Sequence, residues 1–132
     1  MIFISQPVAD AYCNWRKKRL PTSDEWGLAA GEGRRKYPWG DKEISPEMAN
    51  YNSLLGGPLP GDSHPLGRTP EGVYHMAGNV WEITSTTEGD KAIARGGCYF
   101  DQPEFLRSDY RGNRTKDLIP YTSRYMGVRC AQ

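Results

Sequence analysis

Cysteine and histidine are scarce in this 132-residue chain, at three and two copies, and no long hydrophobic run is present. No apolar stretch approaches the ~18 residues that span a bilayer as a helix. The first ten residues also lack the basic start and long apolar core of a secretory leader, so no signal peptide and no membrane insertion are expected. The compartment stays open. Cys13, Cys98 and Cys130 have none of the close-paired spacings of a zinc site, and an odd count leaves at least one thiol unpaired. A net charge of +1 gives no reason to expect a nucleic-acid partner. Arg16 to Arg19 and Arg34 to Lys36 are local basic clusters that read as solvated faces. With no internal repeat and no low-complexity linker, residues 1–132 are expected to form a single domain.

What the chain has is punctuation and aromatic bulk. Fifteen Gly, ten Pro, eight Tyr and four Trp favour many turns and large anchors over long helices. Met1 to Ile4 suits a short strand or the stub of something longer, and Gln6-Pro7 opens a helix carried by Val8 to Lys18. Val8, Ala11, Tyr12 and Trp15 fall at i, i+3, i+4 and i+7, which predicts one buried stripe. Leu20-Pro21 ends this helix. Thr22 followed by Glu25 is a capping box that starts a second helix at Ser23, with Trp26, Ala29 and Ala30 as its buried face and Gly31 and Gly33 as its stop. From Arg34 to Thr69 the periodicity vanishes, and an irregular segment of this length in a compact domain needs internal anchors. Tyr37, Trp39 and Tyr51 are the candidates.

Gly72 to Glu82 is the expected structural centre, because its Gly78-Asn79 pair favours a sharp turn that places Trp81 in a core and turns Glu82 elsewhere. Ile83 to Thr87 and Lys91 to Arg95 then suit two strands joined by Glu88-Gly-Asp90. Gly96-Gly97 breaks or bulges the sheet, and Tyr125 to Cys130 reads as a closing strand. The expected class is α+β with much ordered loop.

Several motifs occur in the order of one family: Arg19-Leu-Pro-Thr22 with Glu25-Trp26 and Ala29-Ala30, Tyr37-Pro-Trp-Gly40, Ala49-Asn50, Met76-Ala-Gly-Asn-Val-Trp-Glu82, Arg95-Gly-Gly97, Arg107-Ser108 with Tyr110-Arg111, and Gly127-Val-Arg129. The chain resembles the formylglycine-generating enzyme (sulfatase-modifying factor) family from about Pro7 onward, without that family's N-terminal portion. The resemblance implies a C-type-lectin-like fold with two helices, a small antiparallel sheet and extensive loops. In the oxidase branch two thiolates after Arg-Gly-Gly hold copper(I), and the matching positions here are Asp101 and Leu106, neither of which replaces a thiolate. Copper-dependent formylglycine formation, or a degenerate relative of it, is therefore the alternative function. The branch that joins sulfur to histidine betaines draws its iron-binding histidines from an additional domain, and this chain has only His64 and His75.

The resemblance also implies calcium, as the one expected cofactor. One shell would use the Gly78 and Val80 carbonyls and Glu82, with His75 departing from the family's oxygen ligand; the other would use Asn50, the Tyr51 carbonyl and Asp62. Cys13 and Cys130 match a family pair that can form a disulfide. The segment from Cys98 to Tyr125 has the composition of a recognition surface, and Tyr99, Phe100, Asp101, Gln102, Asp109, Tyr110, Asn113, Tyr121 and Tyr125 are its candidate ligand-binding residues. In this respect the chain is most similar to the variable proteins of diversity-generating retroelements. A non-catalytic domain that displays this Tyr-rich face to a protein or other surface ligand is the expected function, without a catalytic group.

Overall fold

The computed structural model describes residues 5–115 and 125–132. The strand expected at Met1 to Ile4 and the ligand candidate Tyr121 lie outside the described residues, as does the side chain of Asn113. Helix α1 runs over Gln6–Trp15 with Pro7 in its first turn, where a missing N–H costs nothing. Helix α2 spans Ser23–Ala30. Both halves of its capping box form, the Glu25 amide donating to the Thr22 hydroxyl at 3.1 Å and the Thr22 amide to the Glu25 carboxylate at 2.9 Å. Gly31 then closes the helix at φ 89°, a left-handed conformation suited to glycine.

Four strands follow: β1 (Trp81–Glu88), β2 (Lys91–Arg95), β3 (Gly112–Thr115) and β4 (Met126–Val128), in the order β3-β2-β1-β4. The first three pair antiparallel, with the expected Glu88-Gly-Asp90 turn between β1 and β2. The closing strand differs. β4 pairs parallel to β1, so the sheet is mixed rather than wholly antiparallel. Since β3 already runs in the direction of β1, a final strand in that same direction at the opposite edge must be reached by a crossover and not a hairpin.

Three apolar clusters hold these parts together. Ala9, Cys13, Trp81, Ile83 and Met126 join α1 to the sheet. Trp26, Ala30 and Met76 seat α2. Tyr37, Ala49, Tyr51, Ala77 and Leu106 form the third beneath the long irregular segment, with Trp39 stacked on Tyr37 at 4.9 Å. The three expected aromatic anchors thus do fix that segment.

The stripe predicted for α1 is rotated. Ala9 and Cys13 are the residues buried, whereas Val8 and Trp15 are 51% and 74% exposed. The bond from Cys13 to Cys130 and a hydrogen bond from Gln6 Nε2 to the Thr84 carbonyl (2.8 Å) orient the helix, and apolar periodicity does not decide it. On α2, Gly27 takes the buried place expected for Ala29. A Cβ on Gly27 would meet the Glu32 carboxylate and the Arg95 guanidinium where they pair, and glycine lets both approach the helix without shifting.

Candidate functional site

The Gly78-Asn79 turn is a junction for three other segments, at Asn50, at Leu59 and at Gly96 to Tyr99. The Gly78 amide donates to the Gly96 carbonyl at 2.7 Å, and the Asn79 amide to the Asn50 carbonyl at 2.9 Å. The Asn79 side chain accepts from the Leu59 amide (2.7 Å) and donates to the Leu59 carbonyl (3.1 Å), while its own carbonyl accepts from the Tyr99 amide. Both turn residues have positive φ, 73° and 72°, and a Cβ on Gly78 would come within 2.3 Å of the Asn50 carbonyl oxygen. Only glycine permits that approach.

Next to the turn, Glu82 is buried and fully engaged. Its carboxylate accepts from Trp26 Nε1 at 2.6 Å and from Arg129 at 2.8 and 2.7 Å, and Arg129 also donates to the Tyr74 carbonyl. The carboxylate in turn raises the Arg129 guanidinium above its ordinary range. A cavity of about 270 Å³ opens here, bordered by Leu59, Gly61, His75, Asn79, Glu82 and Arg129. Calcium does not fit this arrangement. A guanidinium and an indole N–H occupy the carboxylate that would ligate the ion, and His75 offers nitrogen where a hard cation needs oxygen. Around Asn50, Nδ2 donates to the Gly57 carbonyl and to Asn79 Oδ1, while the buried Oδ1 has no partner. One orphaned oxygen is far short of a six- to eight-oxygen shell, and the exposed Asp62 joins no cluster of three or more His, Cys, Asp or Glu side chains among the described residues.

Copper(I) does not fit either. Asp101 spends a carboxylate oxygen on the Cys98 amide (2.9 Å), and Leu106 is wholly buried beneath the Gly97 turn. Burial pushes the Cys98 thiol well above its ordinary range, which keeps it protonated and unlike the thiolate that a soft ion takes. Cys13 and Cys130 are bonded to each other. No thiolate pair exists among the described residues.

The structure brings part of the Tyr-rich segment together. The Ser53 and Asn52 amides donate to the carbonyls of Tyr99 (2.8 Å) and Asp101 (2.9 Å), which pins the turn after Gly97 against the long loop. Phe100 stands exposed at its tip, with Tyr99 and Tyr125 edge-on to it at 5.2 and 5.4 Å. Gln102 follows, exposed, just ahead of a short 3-10 turn. Tyr110 belongs elsewhere, packed on Trp81 and Phe105 in the core. Asp109 is also separate, paired with Arg107 at 3.0 Å beside Arg34 and Lys36. That pairing holds its carboxyl below the usual range. Sequence reasoning missed the partners of Glu82, which sit 56 and 47 residues away, and no spacing signal marks them.

Comparison with known proteins agrees with the scaffold. A family model described as "Sulfatase-modifying factor enzyme 1-like domain" matches residues 1–132. Among curated relatives, the hercynine oxygenase of Mycolicibacterium smegmatis is 32% identical over 132 residues, covering 78% of this chain and 31% of its own length. The inactive C-alpha-formylglycine-generating enzyme 2 of Bos taurus is 34% identical over 155 residues, covering 99% of this chain and 49% of its own. The formylglycine-generating enzyme of Mus musculus is 28% identical, with 99% and 43% covered. The chain therefore spans about a third to a half of these relatives. Among solved structures, PvdO from Pseudomonas aeruginosa superposes with a TM-score of 0.75 at 21% identity over 96% of this chain and 59% of that one. Treponema denticola variable protein 1 does so with a TM-score of 0.64 at 22% identity over 83% and 45%. Identities this low show the fold alone. With the turn, the Trp26-Glu82-Arg129 cluster and a family match along its whole length, this chain belongs to the sulfatase-modifying factor, or formylglycine-generating enzyme, family and has its C-type-lectin-like fold.

Proposed function

We propose that this chain is a non-catalytic recognition domain that uses the C-type-lectin-like scaffold to present Tyr99, Phe100 and Tyr125, with Asp101 and Gln102 beside them, to a protein or other surface ligand. The carrying observation is the fate of the two copper positions: one is a carboxylate already bonded within its own turn, the other an aliphatic side chain in the core. Without thiolates the oxidase chemistry has no metal to work on. The same surface does offer the Phe100 ring with Tyr99 and Tyr125 each edge-on to it, rigid area that binds at little entropic cost. An inactive relative at 34% identity and a variable protein among the structural neighbours make this use of the scaffold a reasonable one.

The test is to titrate copper(I) and to assay oxidation of a cysteine-containing sulfatase peptide. No turnover is expected, in wild type or Cys98→Ser. Stoichiometric copper binding with turnover that Cys98→Ser abolishes would overturn the proposal. A second reading, in which the chain is the sulfatase-modifying portion of a larger oxygenase, is favoured by its similarity to hercynine oxygenases. Calorimetry with hercynine tests the second: saturable binding favours the oxygenase reading over the first.

A further inference from the structure

The only two histidines in the chain, eleven residues apart, converge on one serine hydroxyl. Ser63 Oγ lies 3.0 Å from His75 Nε2 and 3.3 Å from His64 Nδ1, and the two rings sit edge to face with centroids 5.7 Å apart. Both histidines have left-handed backbones, φ 58° and 53°, a conformation that costs free energy for a residue with a Cβ. Such strain is retained where the surroundings over-determine it, and functional sites are where it gathers.

The outer nitrogen of His64 fixes its tautomer. Nε2 lies 3.0 Å from the Pro46 carbonyl, a pure acceptor, so Nε2 carries the hydrogen and Nδ1 turns a lone pair toward Ser63. A ring N–H anchored on a backbone carbonyl is the usual support of a metal-ligating imidazole. Of the charged groups facing His75, Arg129 and Glu82 are spent on each other.

We propose that His64 Nδ1 and His75 Nε2 form a two-imidazole site for a divalent first-row transition ion such as zinc, nickel or copper(II), the ion seated between the two ring nitrogens that now converge on Ser63 Oγ. Imidazole selects these borderline ions over calcium or magnesium. No third His, Cys, Asp or Glu side chain joins the pair among the described residues, so the Ser63 hydroxyl, the neighbouring Pro60 carbonyl and water complete the shell. His75 lines the cavity beside Glu82, which gives the ion a route in.

With only two histidines, the imidazole C–H resonances form an uncrowded NMR set. Titrating tag-free protein with zinc is expected to move the signals of both rings together and to saturate at one equivalent, while magnesium moves neither. By calorimetry, His64→Gln and His75→Gln are each expected to weaken zinc binding by roughly tenfold or more. Signals of one ring alone moving, or of neither, would overturn the proposal on the wild-type protein, whatever the folding of the variants. Equal zinc affinity in both variants and wild type would overturn it as well.

Discussion

Glu82 shows how one side chain can look like a ligand in the sequence and prove to be a keystone in the fold. Its two oxygens take hydrogen bonds from an indole on α2 and a guanidinium just beyond β4, so it ties three elements at one point. Removing Glu82 leaves the buried Trp26 indole N–H without its acceptor and Arg129, whose side chain is 32% exposed, without its counter-ion, at a cost of about 1–3 kcal/mol. Glu82→Ala is expected to lose stability on that scale in urea denaturation, and a loss under about 1 kcal/mol would show that Arg129 finds water instead. Sequence alone located Trp26, Trp81 and Tyr37 as anchors, because large aromatics near turns have few other places to go. It could not supply Arg95, which is wholly buried, bonded to Ser23, Glu32 and the Ser108 carbonyl, and stacked over Trp26 at 5.1 Å. A buried arginine is legible only once its partners are seen, and these lie 13 to 72 residues away.

At the scale of elements, local chemistry was readable and orientation was not. The capping box of α2 is a four-residue motif whose partners are fixed by helix geometry, and it formed as the sequence predicts. Thr22→Ala is expected to cost about 1 kcal/mol in thermal or urea unfolding. Glu25 adds a pH signature. A hydrogen bond from Arg19, with the Thr22 amide next, holds its carboxyl down at about 2, against 4.5 for the free group. A folded pKa lowered in this way contributes stability that is complete above about 4.5 and is lost as pH falls through about 2. The pair is exposed, so that contribution is small and salt-screened. An NMR titration should find the Glu25 carboxyl near 2 in wild type and closer to its free value in Arg19→Gln. The rotation of α1 had no comparable local signal, since its apolar positions admit two faces and long-range bonds chose Ala9 and Cys13.

For the whole molecule, a sheet of short strands and two short helices must hold long stretches of loop, and the Cys13 to Cys130 bond closes nearly the entire chain on itself. It joins α1 to the residues after β4, with a sequence separation of 117. A crosslink of this span restricts the unfolded chain strongly, by about 5 kcal/mol in the loop-entropy model. The antiparallel bridge between Arg19 and Ala131 lies beside it and adds two backbone hydrogen bonds to the same closure. Neither the partner choice nor the parallel β4 that places Cys130 against α1 follows from spacing, because both depend on a crossover that no local pattern encodes. The Cys13→Ala, Cys130→Ala double variant should therefore melt lower than wild type by on the order of 15 °C. Wild type under reductant should melt at the same temperature as the double variant under either condition. If reductant leaves the wild-type transition unmoved, the closure rests on packing around Ala9, Trp81 and Met126, and the covalent bond is dispensable to the fold.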